Sequence, residues 1–506
     1  MSRPTSRILI CLAAADVLLH FAGSGRYGFF RDELYYIACG QHLAWGYVDQ
    51  PPLIAVIARL SAFLLGNSLL AFRFFPALAG ACLVLLTGRM TRDLGGDRFC
   101  QAIAGIGVLL APVHLAFGSF FSMNAFEPLF WMGCACILLR ILNGGDERLW
   151  LLFGAVAGVG LLNKHTTLLF GFALVAGLLL TRERERLRTK WFWLGGLLAL
   201  AIFLPNLIWE AQHHWPQIEV VRNAQKFKNS PVGPLQFLGE QVLFLNPIAL
   251  PVLAAGLAWL LLTPRGRRFR CLGWAFLIVL AVVMALKGKT YYPWPAYPML
   301  IAAGGVALGA VLSGLRRKWL RLAYPALLAV SGIVMLPYGV PALPVQAFLR
   351  YQDALPLARS VKTERDSDGR MPQLYADMFG WEGMAATVAR VYHSLPPAEQ
   401  AHCAILAGNY GEAGAIDFFG PRYGLPKAIS GHNNYYLWGP RGYTGEVVIL
   451  FGERSELVKQ MFGEVRQVAT ISDPYAVRVE SNLSVYVCRR PKAPLAALWP
   501  QLKLYI

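Results

Sequence analysis

Residues 150–190 read WLLFGAVAGVGLLNKHTTLLFGFALVAGLLLTRERERLRTK, an apolar stretch broken once, at Asn163, Lys164 and His165, and closed by a strongly basic run. About 20 helical residues cross a hydrocarbon core of roughly 30 Å. The stretch is therefore either two short crossings turning at Lys164 or one long tilted helix. That choice decides the topology, because two crossings bring the count of apolar spans along the chain to eleven and one brings it to ten.

The other spans lie near 8–25, 69–88, 99–117, 126–142, 191–209, 241–262, 271–287, 294–312 and 322–338, with 150–163 and 166–181 as the contested pair. Basic residues arbitrate, since Lys and Arg gather in the cytoplasmic loops of membrane proteins. With a cytoplasmic N-terminus the inner segments hold Arg3 and Arg7; Arg89, Arg92 and Arg98; Arg140 and Arg148; Arg182 to Lys190; Arg265 to Arg270; and Arg316 to Arg321. These clusters share one side only if 150–181 crosses twice. Eleven spans then place the C-terminal tail outside, together with the loops 26–68, 210–240 and 287–293 and the turns at 118–125 and 163–165.

Composition supports this. The chain is 506 residues long, 56% hydrophobic and 15% charged, which argues against an ordinary soluble domain. Its net charge of +18 is concentrated before residue 341, where 30 Lys and Arg face 14 Asp and Glu, against 17 and 15 afterwards. Basic clusters between apolar runs are a topology signal, so nucleic acid is excluded as a partner. The first apolar run has a basic start but no small-x-small cleavage site, and reads as a retained helix.

Two domains follow: a membrane domain at 1–340, with its outer loop at 26–68, and an extracytoplasmic α/β domain at 341–506. In the tail, HCAILAGN, GEVVILFG and LSVYVCRR read as strands, and EGMAATVARVYHSL and RSELVKQMF as helices. GNYGEAGAIDFFGPRYG follows a strand; it lacks the dinucleotide-binding spacing, and a structural turn is favoured over a phosphate cradle. SGHNNYYLWGP is open between a binding loop and a packed turn. Cys403 and Cys488 lie in strand-like segments, and pairing between them is left open.

The outer loops carry the candidate chemistry. Residues 31–52, RDELYYIACGQHLAWGYVDQPP, place Asp32, Glu33 and Asp49 near bilayer level, where a carboxylate is costly without a task. Short surface helices are expected from Leu34 and over Leu53–Leu65. A carboxylate there suits a general base that takes a proton as a new bond forms. Lys164 in LLNKHTT, with His165 beside it, and Lys287 and Lys289 in LKGKTYYPWP supply cations suited to a phosphate. Each lysine alone reads equally well as a membrane anchor. In FSMNAFEPLFW, Asn124 and Glu127 stand at a turn, and Glu127 entering an apolar helix needs a partner or a wet cavity. His114, His165, His213 and His214 form no known zinc spacing, so metal-independent chemistry with no cofactor is expected.

Taken in order, RDELYY, GYVDQPPL, SMNAFEPLFW, LLNKHT and KGKTYYPWPAYP resemble glycosyltransferase family 39, the membrane relatives of protein O-mannosyltransferases and of the lipid A aminoarabinose transferase; the likeness covers residues 25 to 300. It implies a polytopic α-helical GT-C fold and inverting transfer from a polyprenyl-phosphate sugar to an extracytoplasmic lipid, glycan or protein acceptor at the cytoplasmic membrane. It implies that Asp32 is the catalytic base or an acceptor-orienting acid, with Glu33 as its partner and Asp49 as a second acid. It implies substrate contacts from Gln50, Asn124, Glu127, Lys164, His165, Lys289, Tyr291 and Tyr292. Gln50 departs from a lysine common in relatives, and Asn124 from an aspartate for which Glu127 substitutes unless the acceptor differs. A lipid-sugar transporter and a non-catalytic lipid-sugar binding protein are the alternatives; the absence of an internal repeat and the gathering of charges on one face weigh against transport.

Overall fold

The structure, a computed structural model, describes residues 6–356, 364–365, 369–452 and 455–506. Arg3 and the first residue of RSELVKQMF lie outside them. The chain divides into two compact units: Met1–Arg26, Leu70–Ile208 and Pro231–Phe348 form the first, and Tyr27–Leu69, Trp209–Ser230 and Leu349–Ile506 the second.

Each of the eleven apolar stretches folds as a helix or a bent pair of helices. Among the described residues six helices are long and apolar enough to cross a membrane, and up to nine spans result if each bent pair counts as one. Two spans expected to be continuous are broken at proline. Arg98–Leu109 meets Pro112–Gly118 at 62°, and Pro234–Leu245 meets Pro247–Leu262 at 95°, because proline removes an N–H and clashes with the preceding turn. The contested stretch is two helices, Leu149–Asn163 and Thr166–Leu179.

Packing in the first unit relies on small residues, as expected where lipid is as apolar as leucine and close backbone approach must hold helices together. A Cβ on Gly154 would run into the backbone of Gly195, and one on Gly304 into the carbonyl of Val252. Trp131 stacks on Phe170 with ring centroids 4.4 Å apart. On helix Lys190–Gln212 the exposed residues Trp193, Leu197, Leu200, Leu204 and Ile208 recur every three to four positions and form one apolar stripe.

The second unit contains the acidic loop and a five-stranded sheet. The strands are β1 (Cys403–Ala407), β2 (Ile429–Ser430), β3 (Val447–Phe451), β4 (Phe462–Ser472) and β5 (Asn482–Pro491), in the order β2-β1-β3-β5-β4. β1 runs parallel to β2 and β3 in the register Ile405 to Ile449, and β5 is antiparallel to β3 and β4. β1 and β3 are buried at every residue, which is why they read as unbroken apolar runs. β4 escaped the sequence reading because polar residues interrupt its apolar ones and most of it is exposed, so it gives no such run. Cys403 and Cys488 are free thiols. Because β3 lies between their strands, they are about 10 Å apart by strand spacing, beyond disulfide reach.

The acidic loop folds into two helices, Arg31–Gln41 and Leu53–Leu65; against expectation the first is not a surface helix, because its residues Glu33 to Gly40 are buried and it ends before Leu43–Trp45. The second exposes Val56, Leu60, Phe63, Leu64 and Leu65, the apolar face of a helix lying along an interface. The first packs on helix Tyr410–Phe419, where a Cβ on Gly414 would sit 3.0 Å from the Leu34 backbone. The Gly-rich run thus serves close helix packing.

Candidate active site

In the second unit, Asp32 stands in the first turn of helix Arg31–Gln41 with its side chain 29% exposed. Its Oδ1 accepts a hydrogen bond of 2.8 Å from the Tyr410 hydroxyl and lies 3.9 Å from Nε of Arg31. Arg31 also faces Asp377 Oδ1 at 3.6 Å and Glu364 Oε2 at 3.2 Å, and Lys228 reaches the other Glu364 oxygen at 3.7 Å. Asp377 is fully buried, and burial pushes its carboxyl up to about 6 against the opposing pull of Arg31. The Arg31 guanidinium is held well above its ordinary range, the Asp377 carboxylate and its other anionic neighbours overriding desolvation.

Asp49 accepts a 2.7 Å hydrogen bond from the Tyr35 hydroxyl. Burial pushes it up to about 6; the Tyr35 bond opposes the rise and the charge of Asp32 adds to it. The Tyr410 phenol is driven well above its usual range by burial and by Asp32, so it remains a proton donor.

Tyr410 is fixed from behind. Asn409 caps its helix by accepting from the N–H groups of Gly411 and Glu412, and its amide donates to Glu412 at 3.0 Å and to Glu480 at 2.7 Å. Asn434 accepts from the Val48 N–H at 2.7 Å, which ties the Asn-rich loop to the Asp49 turn. A cavity of about 290 Å³ beside these residues is lined by Arg31, Lys228, Arg365, Tyr410 and His432, among others.

Two predicted residues of this loop turn inward. Glu33 is fully buried and accepts the Phe30 N–H at 2.7 Å, closing the start of its own helix. Gln50 is also fully buried, with its amide 3.5 Å from the Cys39 sulfur.

The first unit gathers a second set. Lys164 donates to Asn124 Oδ1 at 2.7 Å and to Glu127 Oε2 at 2.8 Å. Thr166 donates to the other Glu127 oxygen. The ammonium lies 4.7 Å from the Tyr292 ring centre and 6.0 Å from that of Tyr291. Glu127 is thus the acid paired with Lys164, beside Asn124. Lys289 is half-buried on the segment that carries both tyrosines. His165 turns elsewhere, 3.0 Å from Asn206 Oδ1.

The dolichyl-phosphate-mannose-protein mannosyltransferase family matches residues 49–209. The lipid A galacturonosyltransferase RgtD of Rhizobium johnstonii is 25% identical over 373 residues, which is 70% of this chain and 74% of that protein. ArnT from Cupriavidus metallidurans, in its crystal structure bound to undecaprenyl phosphate, superposes with a TM-score of 0.62 at 15% identity, covering 94% of this chain and 97% of ArnT. The mycobacterial arabinofuranosyltransferase AftD gives 0.51 at 14% identity over 97% of this chain and 40% of its own. The chain is a membrane glycosyltransferase of the GT-C fold.

Several residues of this enzyme's acidic site were not singled out from sequence. Arg31 and Tyr35 lie inside RDELYY, where the adjacent acids carry the stronger signal. Tyr410 lies in the Gly-rich run, whose glycines carry the stronger signal. Lys228 had a legible signal, a basic residue on a segment assigned to the outer face. Glu364 and Asp377 had none, being isolated acids in the tail.

Proposed function

We propose that this enzyme transfers a sugar from a polyprenyl-phosphate donor to a lipid acceptor of the lipid A class, with inversion, and that Asp32 is its general base. The observation that carries this is the setting of Asp32: a partly exposed carboxylate, oriented by the Tyr410 hydroxyl and flanked by the Arg31 guanidinium. Its nearest functional neighbours, Arg31 and Tyr410, also line a cavity. The undecaprenyl phosphate bound by ArnT supports the donor class, and RgtD supports the acceptor class.

In this reading Asp32 takes the proton of the acceptor hydroxyl as its oxygen attacks the anomeric carbon. The bond to the phosphate breaks on the opposite face and the lipid phosphate leaves. Arg31 keeps Asp32 aimed. Asp49 is the second acid, held by Tyr35. Glu33 is a positioning residue that fixes the helix start, and Gln50 acts from the interior. For the first unit we propose a donor-phosphate role for Lys164, Lys289, Tyr291 and Tyr292, with Asn124 and Glu127 holding Lys164 and with His165 supporting the turn through Asn206. The N-terminus is cytoplasmic and residues 341–506 are extracytoplasmic, as the basic clusters indicate.

The test is purified enzyme in detergent with polyprenyl-phosphate-linked sugars and lipid A. Sugar attached to the lipid with inverted anomeric configuration supports the reading. No transfer with any such donor, alongside donor movement across proteoliposomes, overturns it in favour of transport.

A further inference from the structure

Within the first unit, and apart from the residues of the proposed site, Asp16, His20 and His114 converge in the interior; the sequence spacing of His114 gives no zinc pattern. Asp16 and His20 lie on helix Arg7–Gly23 and His114 on Pro112–Gly118. All three are at most 3% exposed. His114 Nε2 is 2.9 Å and His20 Nε2 3.5 Å from the same oxygen, Asp16 Oδ1. One ligand atom from each residue lies within 4.8 Å of the other two.

Hydrogen bonding fixes which face His20 presents. The Ser119 hydroxyl has a single proton, and it donates that to the Leu115 carbonyl at 2.8 Å. Toward His20 Nδ1, 3.3 Å away, Ser119 Oγ is therefore an acceptor, and Nδ1 carries the ring proton. In the neutral ring Nε2 is then a bare lone pair aimed at a carboxylate oxygen. Two lone pairs facing each other in an apolar interior repel unless a cation stands between them. Among the described residues, neither His20 Nε2 nor Asp16 Oδ2 has a hydrogen-bond partner.

We propose that Asp16, His20 and His114 form a binding site for a divalent transition metal of the zinc class, which cross-links helix Arg7–Gly23 to Pro112–Gly118. Two imidazoles and one carboxylate are a zinc-type donor set. Donors about 2.0–2.1 Å from a tetrahedral ion stand about 3.3 Å apart, and the two separations of 2.9 and 3.5 Å bracket that value. The bond from His20 Nδ1 to Ser119 is the outer contact that holds a metal-binding imidazole in its tautomer. Space is kept by glycine: a Cβ at Gly80 would strike Asp16 Oδ2, and one at Gly118 would strike His20 Nε2. The role is structural and does not rest on the assignment of Asp32.

The experiment uses the full-length protein, purified in detergent from zinc-supplemented cells without chelator. Metal is measured by mass spectrometry after gel filtration, and thermal unfolding is followed with added zinc and with chelator. We expect near-stoichiometric zinc, a Tm lowered by chelator and restored by zinc, and cobalt substitution giving visible d–d absorption. His20→Ala and His114→Ala should each weaken zinc binding by about tenfold or more and abolish the zinc-dependent Tm shift. If these variants do not fold, the response of the wild type to chelator and its cobalt spectrum decide. Wild type without retained metal and with a Tm indifferent to zinc and chelator overturns the proposal, leaving a proton as the bridging cation. Undiminished zinc binding in folded His20→Ala and His114→Ala overturns it as well.

Discussion

Tyr35 and Tyr410 lie against each other with ring centroids 4.7 Å apart, and each donates its hydroxyl to a different acid, Tyr35 to Asp49 and Tyr410 to Asp32. The two rings, tilted 31° to each other, make one spacer from two elements far apart in sequence. The pair positions both acids, and because hydrogen bonding to a carboxylate favours its charged form, the Tyr35 bond also lowers the basicity of Asp49.

Asp32→Asn should insert and fold as wild type and lose sugar transfer by at least about a hundredfold, the scale of a lost general base. Tyr410→Phe keeps the carboxylate but removes its orienting donor, and should lower kcat by about tenfold with little change in donor KM. Both are measured with purified enzyme and a polyprenyl-phosphate sugar. Full transfer by Asp32→Asn would remove Asp32 from the base role.

Asp49 gives a pH prediction. Its carboxyl sits at about 6, above its ordinary 3.8, because of burial. If Asp49 works as a carboxylate, activity falls as pH drops through about 6. Tyr35→Phe removes a bond that lowers this value, so the acidic limb of the rate profile should move upward. Stability runs the other way. A carboxyl that holds its proton more tightly when folded contributes stability that is fully present below its unfolded value near 3.8 and lost as pH rises through about 6. Asp49→Asn mimics the protonated acid, so it should raise Tm at pH 8 and leave it unchanged near pH 4. An unmoved limb in Tyr35→Phe would dissociate Asp49 from the rate.

The membrane helices were legible because each is a long apolar run, and the break at Lys164 was legible because three polar residues interrupt one. The bends were harder. Ala111–Pro112 and Asn246–Pro247 sit inside runs whose hydropathy stays high, and hydropathy is blind to a missing backbone donor. Asp32 and Asp49 in the second unit, and Lys164, Asn124 and Glu127 in the first, stood out as polar groups in apolar surroundings. What holds them did not. Tyr410 is 378 residues from Asp32 and Asp377 is 346 residues from Arg31, and no periodicity within either segment encodes such a pairing. Asp16 and His20 gave no signal, and His114 was weighed without them, for the same reason: Asp16 and His20 share a helix face, but His114 is 98 residues from Asp16.

Lys164 and Glu127 separate a structural from a substrate role. Their side chains are 13% and 3% exposed and 2.8 Å apart. Removing one partner of a buried ion pair strands the other, at a cost of about 3–5 kcal/mol. Lys164→Ala should therefore lower Tm as well as weaken use of the donor. Loss of activity in that variant alone says little about phosphate binding. Lys164→Met combined with Glu127→Gln removes both charges, and replacing a whole buried pair is close to neutral for stability. The double variant should recover most of the lost Tm. If Lys164 contacts the donor phosphate, the double variant still shows a raised donor KM. Recovery of wild-type KM together with Tm would make the pair a purely structural clamp between Met123–Leu142 and the turn at Lys164.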